Sequence, residues 1–152
     1  MVAIVDVPSD QAYGMSDQFR VGKEHAEDVK KIIDLLDQKL PRPIFFVGTS
    51  RGTISVAHLG AALKDQRLGG IILTSSMGAS RGAGWSLFNL PLENIALPVL
   101  FVHHREDGCW ASRFNDALQL QSRMSGSPRT QFIEVLGGDP PRSEPCEAMS
   151  AH

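Results

Sequence analysis

The sequence predicts an α/β fold in which a mostly parallel sheet is flanked by helices. Short apolar runs alternate with helical stretches along the chain, which is the order of elements in such folds. Several of the runs are continuously apolar, as in strands that are buried on both faces of a parallel sheet. The length of 152 residues and the mass of 16.6 kDa suit a single domain with its own core.

About five strands are predicted from these runs, each of them bounded by Pro, Gly or polar residues. Their composition is rich in Val, Ile, Leu and Phe, which favours strands. The predicted strands are residues 2–7 (VAIVDV), 44–47 (IFFV), 70–73 (GIIL), 98–103 (PVLFVH) and 131–136 (QFIEVL).

Three helices are predicted between the strands. Residues 23–40 carry apolar side chains at three- and four-residue spacing, and two prolines follow directly. Residues 53–63 predict a helix of small residues that packs closely, and residues 111–124 predict the third helix. We expect residues 9–22 to form a loop. Residues 74–97 are expected to cross the top of the sheet, with room for one short helix.

The composition excludes several classes of protein. Fifteen Lys and Arg oppose seventeen Asp and Glu, so the net charge of −2 leaves no broad basic surface for nucleic acid. The longest apolar run, residues 95–102, is far shorter than the roughly 20 residues of a membrane span. Residues 1–5 are apolar, but Asp6 follows them and no basic segment precedes them, so no secretory signal is predicted. The chain as given is expected in the cytoplasm, and a periplasmic or secreted location stays open for a longer parent protein.

The segment Gly48-Thr49-Ser50-Arg51-Gly52 fits the pattern G-x-S-x-G between a predicted strand and a predicted helix. This is the context of a nucleophile elbow, a tight turn that exposes a strained serine above the sheet. The two glycines let the strand and the helix approach each other, and the backbone N–H of Arg51 would face a developing oxyanion. The alternative is that Ser50 only caps the helix in a glycine-rich turn.

A serine nucleophile needs a histidine base and a carboxylate that orients the base. Asp107 follows the predicted strand 98–103, and His152 follows the last predicted strand. The order Ser50, Asp107, His152 is the chain order of the triad in α/β-hydrolases. Each of the three residues follows a different strand, at the edge where such sheets carry catalytic groups.

Simpler interpretations of these residues remain open. Asp107 could cap the helix that starts near residue 111, and the neighbouring Glu106 competes for the role of the acid. His103 and His104 lie at a strand end, where they would turn the loop through hydrogen bonds. His152 is the last residue, and terminal residues are commonly poorly ordered. The two remaining histidines, which lie within helices and carry no site argument, are His25 and His58.

Six segments that cover most of the chain resemble those of a known family. They are residues 2–10 (VAIVDVPSD), 19–29 (FRVGKEHAEDV), 46–58 (FVGTSRGTISVAH), 70–76 (GIILTSS), 98–109 (PVLFVHHREDGC) and 145–152 (PCEAMSAH). The chain resembles the α/β-hydrolases, and among them a group of bacterial hydrolase-like proteins of poorly defined substrate. The resemblance implies that Ser50 is the nucleophile, Asp107 the acid and His152 the base, with the Arg51 N–H as one oxyanion donor.

The resemblance also implies that residues 1–152 form a single but incomplete hydrolase domain. Residues 2–7 correspond to the fourth strand of the family and residues 44–47 to the fifth. The early strands, the loop with the second oxyanion donor and the closing helix have no counterpart, so the chain looks truncated at both ends. We therefore expect residues 2–7 to pair directly with residues 44–47 or to leave unpaired backbone groups and a gap. We also expect weak activity or none from this chain alone, since one lost oxyanion donor costs about 10²–10³ in turnover.

Two cysteines, Cys109 and Cys146, are compatible with buried thiols, a disulfide or a metal site. They are too far apart for a CxxC motif, and no clustered histidines complete a zinc pattern. With the acid at Asp107 and the base at His152, a disulfide would join the acid loop to the base loop. It would also favour an exported parent protein.

Two hypotheses about function follow. The first is a serine hydrolase that acts on an ester or a related small acyl substrate, with no cofactor and no metal; Trp85 and Phe88 would then cover the pocket, unless they only pack in the core. The alternative is a non-catalytic pseudo-hydrolase or remnant that binds a partner or associates with itself through an exposed sheet edge. Residues 48–52 lack the Lys-Ser/Thr of a P-loop and the spacing of a dinucleotide motif, which disfavours a nucleotide-binding protein.

Overall fold

The computed structural model describes residues 1–82, 84–138 and 146, and its centre is a parallel sheet of four strands. The strands lie side by side in chain order, and each neighbouring pair is parallel. Parallel neighbours need crossover connections, and helices or long loops provide them here. The predicted α/β class is therefore confirmed. The strands are β1 (Ile44–Thr49), β2 (Leu68–Thr74), β3 (Val99–His104) and β4 (Thr130–Val135).

The prediction of a strand at residues 2–7 is wrong. These residues form no regular element, and the side chains of Val2 and Ile4 are 89% and 94% exposed. An apolar pattern makes a strand favourable only where a neighbouring strand supplies hydrogen bonds, and the described part of the sheet ends at β1. Direct pairing of residues 2–7 with residues 44–47 is therefore not observed.

Four α-helices accompany the strands in the described residues. The ends of α2 (Lys23–Lys39) and α3 (Gly52–Ala62) lie within one residue of the prediction. Helix α4 (Phe114–Ser122) is shorter than predicted at both ends, and it begins later because residues 109–112 form a turn. The predicted loop at residues 9–22 contains a 3₁₀-helix (Ser9–Gln11) and α1 (Asp17–Arg20), which Ser16 caps by accepting a hydrogen bond from the N–H of Phe19. None of the helices in the described ranges is long and apolar enough to cross a membrane. The helices are α1 (Asp17–Arg20), α2 (Lys23–Lys39), α3 (Gly52–Ala62) and α4 (Phe114–Ser122).

All four helices lie on one face of the sheet. The main core joins α3 and α4 to that face, with Ile54, Ile71, Phe101 and Leu120 almost fully buried. A second, smaller cluster joins α2 to α3 and to the same side of β1 and β2, through Val29, Ile33, Leu59 and Leu68. The long connection after β2 completes the main core with two 3₁₀-helices, Leu87–Asn89 and Leu92–Asn94, where one short helix was predicted.

The opposite face of the sheet is open to solvent in the described structure. Because side chains alternate along a strand, the neighbours of the core residues point to this face. Phe45 and Val47 of β1 are 56% and 62% exposed there, and Ile133 of β4 is 50% exposed. A shallow depression of about 190 Å³ lies on this face near the amino ends of the strands, between Phe45 and Gln131.

Candidate active site

Ser50 occupies the turn between β1 and α3, in a backbone conformation that residues other than glycine rarely adopt. Its φ is +50°, in the left-handed region. The turn is held by hydrogen bonds on both sides: the Ser50 N–H donates to the Thr74 carbonyl (3.0 Å), and the Ser50 carbonyl accepts from the N–H (3.0 Å) and the hydroxyl (2.6 Å) of Thr53. A strained conformation persists only where the surroundings determine it in this way.

The two glycines of the segment differ in what they do. A Cβ added at Gly48 would lie 2.6 Å from the carbonyl oxygen of Gly52 and 2.8 Å from Cγ2 of Val56, so strand and helix touch at this point. A Cβ added at Gly52 would meet nothing within 4 Å. Close packing therefore requires a glycine at position 48, and no contact requires one at position 52.

The side chain of Ser50 is directed toward the connection that follows β2. Its Oγ lies 3.9 Å from Sδ of Met77, a weak acceptor, and the Met77 N–H donates to the hydroxyl of Thr53 (3.2 Å). The hydroxyl of Thr53 thus binds both the carbonyl of Ser50 and the connection beside it. The serine turn and Met77 consequently form one hydrogen-bonded unit.

Asp17 links Arg51 of the serine turn to Trp85 in the connection after β2. Its Oδ1 lies 3.5 Å from Nη1 of Arg51, and its Oδ2 accepts from the N–H of Trp85 (3.1 Å). The nearby Arg20 donates from Nη1 to the hydroxyl of Ser55 in α3 (3.1 Å). Burial lowers the pKa of Arg20, Asp17 opposes that shift and Arg51 adds to it. Sequence reasoning missed Asp17, because nothing in a polar loop distinguishes one acidic residue from its neighbours.

Asp107 follows β3 by three residues and organises its own loop. Its Oδ1 accepts from the N–H of Cys109 (2.9 Å), and its Oδ2 accepts from the hydroxyl of Ser112 (3.0 Å). Helix α4 begins only at Phe114, with Arg113 as its N-cap. Asp107 therefore holds the loop before α4 rather than capping the helix itself.

His103 and His104 connect β3 to the loops around it. His103 is almost fully buried, and its Nε2 accepts a hydrogen bond from the N–H of Ser76. Nε2 of His104 donates to the carbonyl of Gly137 (2.6 Å), while its Nδ1 accepts from the N–H of Glu106 (3.1 Å). A carbonyl can only accept, so these contacts assign the proton of a neutral His104 to Nε2. Both histidines thus stabilise the neighbouring loops by hydrogen bonds to backbone groups.

A disulfide joins Cys109 to Cys146, with 4.5 Å between their Cα atoms. Cys109 is buried beside the Asp107 loop, whereas Cys146 is exposed. His152 lies outside the described residues. Within the described residues, no three His, Cys, Asp or Glu side chains form a group that could hold a metal ion.

The aromatic residues of the long connection contact the main core. Trp85 and Phe88 are both half-buried against it. The guanidinium group of Arg123 in α4 lies 5.7 Å from the centre of the Phe88 ring, and its Nη1 donates to the Phe88 carbonyl (2.8 Å). Core packing accounts for these contacts, and a role in covering a pocket stays a prediction.

The architecture is a parallel α/β fold of four strands and the helices that pack on them. Three solved structures of a novel cold-adapted esterase from an Arctic intertidal metagenomic library are similar to it. The native form has a TM-score of 0.59 and 19% identity, and the match covers 84% of this chain and 52% of the esterase chain. The zinc-bound form has a TM-score of 0.57 and 21% identity, and the match covers 75% of this chain and 48% of the esterase chain. The polyethylene-glycol complex has a TM-score of 0.57 and 21% identity, and the match covers 74% of this chain and 46% of the esterase chain.

The chain therefore spans about half the length of the esterase chains that it matches. At this level of identity the likeness is one of fold. No protein-family model matches the chain, and no curated protein matches it.

Proposed function

We propose that this chain carries the nucleophile and the acid of a serine hydrolase that acts on an ester or a related acyl compound. The observation that supports the proposal most is the conformation of Ser50, a non-glycine residue at φ +50° between a parallel strand and a helix. Strain of this kind is concentrated at functional sites, and a nucleophile elbow requires it. The structures of similar fold belong to an esterase.

The proposed reaction is acyl transfer to Ser50. Its Oγ attacks the carbonyl carbon of the substrate while His152 takes the hydroxyl proton, and the leaving alkoxide then takes that proton from the imidazolium. Water attacks the acyl-enzyme in the same way and releases the acid. The Arg51 N–H would stabilise the oxyanion in both steps.

Asp107 is suited to orient the base because its own loop holds its carboxylate in place. Its Oδ1 accepts from the N–H of Cys109, and its Oδ2 accepts from the hydroxyl of Ser112. A carboxylate held by its own loop keeps a fixed direction, which a base needs for orientation.

The disulfide supports the choice of His152 as the base, because few residues separate His152 from the bonded Cys146. His152 comes six residues after Cys146, and an extended chain covers about 3.3–3.6 Å a residue, or roughly 20 Å. Because Cys146 is bonded to Cys109, two residues after Asp107, a segment of this length would suffice to bring His152 to the acid loop, as the proposal requires.

Covalent labelling with a fluorophosphonate tests this proposal without requiring turnover. The purified chain is treated with the probe, and intact mass and peptide mapping follow the adduct. We expect an adduct on Ser50, none on Ser50→Ala, and wild-type labelling on Ser122→Ala, an exposed serine at the end of α4 that serves as the matched control. Asp107→Asn should slow labelling by up to about 10⁴-fold, as loss of the orienting acid does in other triads.

Two results contradict the proposal. One is a folded wild-type chain, verified by circular dichroism, that forms no adduct; the Ser50 turn would then belong to a non-catalytic binding protein. The other is equal labelling of wild type and Ser50→Ala, which would place the reactive group elsewhere.

A further inference from the structure

Thr53, in the first turn of α3, has a fully buried side chain whose hydroxyl forms two hydrogen bonds. It donates to the carbonyl of Ser50 (2.6 Å) and accepts from the N–H of Met77 (3.2 Å). A carbonyl can only accept and a backbone N–H can only donate, so the direction of both bonds is determined. The hydroxyl therefore uses its single proton on the strained residue and a lone pair on the connection after β2.

Two features distinguish Thr53 from an ordinary helical threonine, whose hydroxyl commonly binds a carbonyl three or four residues earlier. The carbonyl that it binds belongs to Ser50, whose φ is +50°. Its second partner, Met77, lies 24 residues further along the chain and also places its Sδ 3.9 Å from Oγ of Ser50. The Thr53 hydroxyl thus fixes both the backbone of Ser50 and the residue that the Ser50 hydroxyl faces.

We propose that Thr53 is a positioning residue for the nucleophile: its hydroxyl retains the strained Ser50 turn and holds Met77 beside it. This inference rests on the proposed function, since an attacking Oγ needs a fixed direction. A strained conformation persists only while its surroundings determine it, and the Thr53 hydroxyl supplies part of that determination. A displacement of about 1 Å in a reacting group can cost about 10²-fold in rate. Thr53 acts through Ser50 and does not contact the substrate.

Thr53→Val and Thr53→Ser separate the hydroxyl from the rest of the side chain. Valine can neither donate to Ser50 nor accept from Met77, whereas serine can do both. At saturating fluorophosphonate we expect the rate constant for labelling of Ser50 to fall roughly 10–100-fold in Thr53→Val and to stay within about threefold of wild type in Thr53→Ser. The probe concentration that gives half of the maximal rate should change little, because Thr53 does not bind the probe.

Ile33→Val is the control for a loss of stability. Ile33 is 1% exposed in the cluster between α2 and α3, and removal of one of its methylene groups destabilises the chain without touching the Ser50 turn. This variant should label with the wild-type rate constant. Loss of folded protein would lower the labelled fraction, whereas a misplaced Ser50 lowers the rate constant.

Hydrogen exchange at the Met77 N–H, followed by NMR, tests the same bond without chemistry at Ser50. We expect faster exchange in Thr53→Val than in wild type, and protection close to wild type in Thr53→Ser, because serine restores the acceptor.

Three results overturn the role of Thr53 and leave the proposed function intact. The first is labelling of Thr53→Val with the wild-type rate constant. The second is an equal loss of rate in Thr53→Ser, which would mean that the hydroxyl is not the cause. The third is an equal loss of rate in Ile33→Val, which would attribute the effect to stability. A folded wild type that forms no adduct is a different result: it contradicts the proposed function itself, and the role of Thr53 with it.

Discussion

In the part of the chain that the structure describes, the non-glycine residues with strained backbone lie where two strands end. Ser50 follows β1 with φ +50°, and Ser75 follows β2 with φ +44°. A left-handed conformation costs a non-glycine residue about 1–2 kcal/mol. Hydrogen bonds retain both residues, from Ser50 to Thr74 and from Ser75 to Val102. The strain therefore lies at the carboxyl edge of the sheet, next to the proposed nucleophile.

Gly48→Ala is predicted to destabilise the chain by about 1–3 kcal/mol, the usual cost of overpacking a close contact. The added Cβ would lie 2.6 Å from a backbone oxygen that belongs to the first turn of α3. Gly52→Ala is the matched control: its Cβ has no neighbour within 4 Å, and alanine in a helix is favoured over glycine by up to about 1 kcal/mol. Denaturant titration measures both free energies of unfolding. Equal stability of the two variants would mean that strand and helix are not in contact at Gly48.

At the scale of elements, Arg67 connects helix α2 to the start of β2. Its guanidinium binds Asp65 (2.6 Å) before the strand and Asp34 (2.7 Å) on α2, with Asp37 at 3.5 Å. The hydrogen bonds from Arg67 lower the pKa of Asp65 to about 2. This network fixes the position of the helix that covers one side of β1 and β2, and it does so far from the Ser50 turn.

Asp65→Asn is predicted to lower the stability of the chain near neutral pH and to have no effect in strong acid. The carboxylate is favoured in the folded state, because its pKa of about 2 lies below the ordinary value of 3.8. Its contribution is complete above pH 3.8 and is lost as the pH falls from there toward 2. Urea midpoints of both proteins across this range should therefore converge.

Asp28→Asn provides the comparison for the Asp65 experiment, since the ion pair that Asp28 forms with Lys31 on the same helix is exposed. Such pairs contribute little, so this variant should resemble wild type at every pH. A constant difference between wild type and Asp65→Asn down to pH 2 would show that the loss does not come from the charge.

At the scale of the whole molecule, the disulfide is a long-range link outside the hydrogen-bonded framework. It closes a sequence separation of 37 residues, from the acid loop across β4 to Cys146. A cross-link of this length reduces the entropy of the unfolded chain.

The double variant Cys109→Ala/Cys146→Ala is predicted to lose about 3–4 kcal/mol of unfolding free energy, from the chain-entropy cost of the open loop. It should also react more slowly with the fluorophosphonate, because His152 is no longer tethered. Reduction of the wild type should reproduce both effects, with alkylation and intact mass as the check on the thiols. Unchanged labelling of the folded double variant would argue against His152 as the base.

Much of the fold follows from local patterns. The helical spacing in residues 23–40 and the apolar run IFFV predict α2 and β1 to within two residues, because the local pattern determines which face of an element is apolar. The position of Ser50 between strand and helix is predictable for the same reason. Residues 2–7 have an equally good strand pattern and are not a strand, since pairing depends on a neighbour that the local sequence does not encode.

The sequence by itself thus determined the class of fold, the order of the strands and α-helices from residue 23 onward and the turn that carries Ser50. Only the tertiary structure decided that all described helices lie on one face, that Asp17 binds Arg51 and Trp85, and that His103 and His104 hold loops. The physical reason is the range of the interactions. Periodicity and turn chemistry act between residues a few positions apart, whereas coverage of a sheet face and the partner of a buried side chain depend on residues distant in the chain.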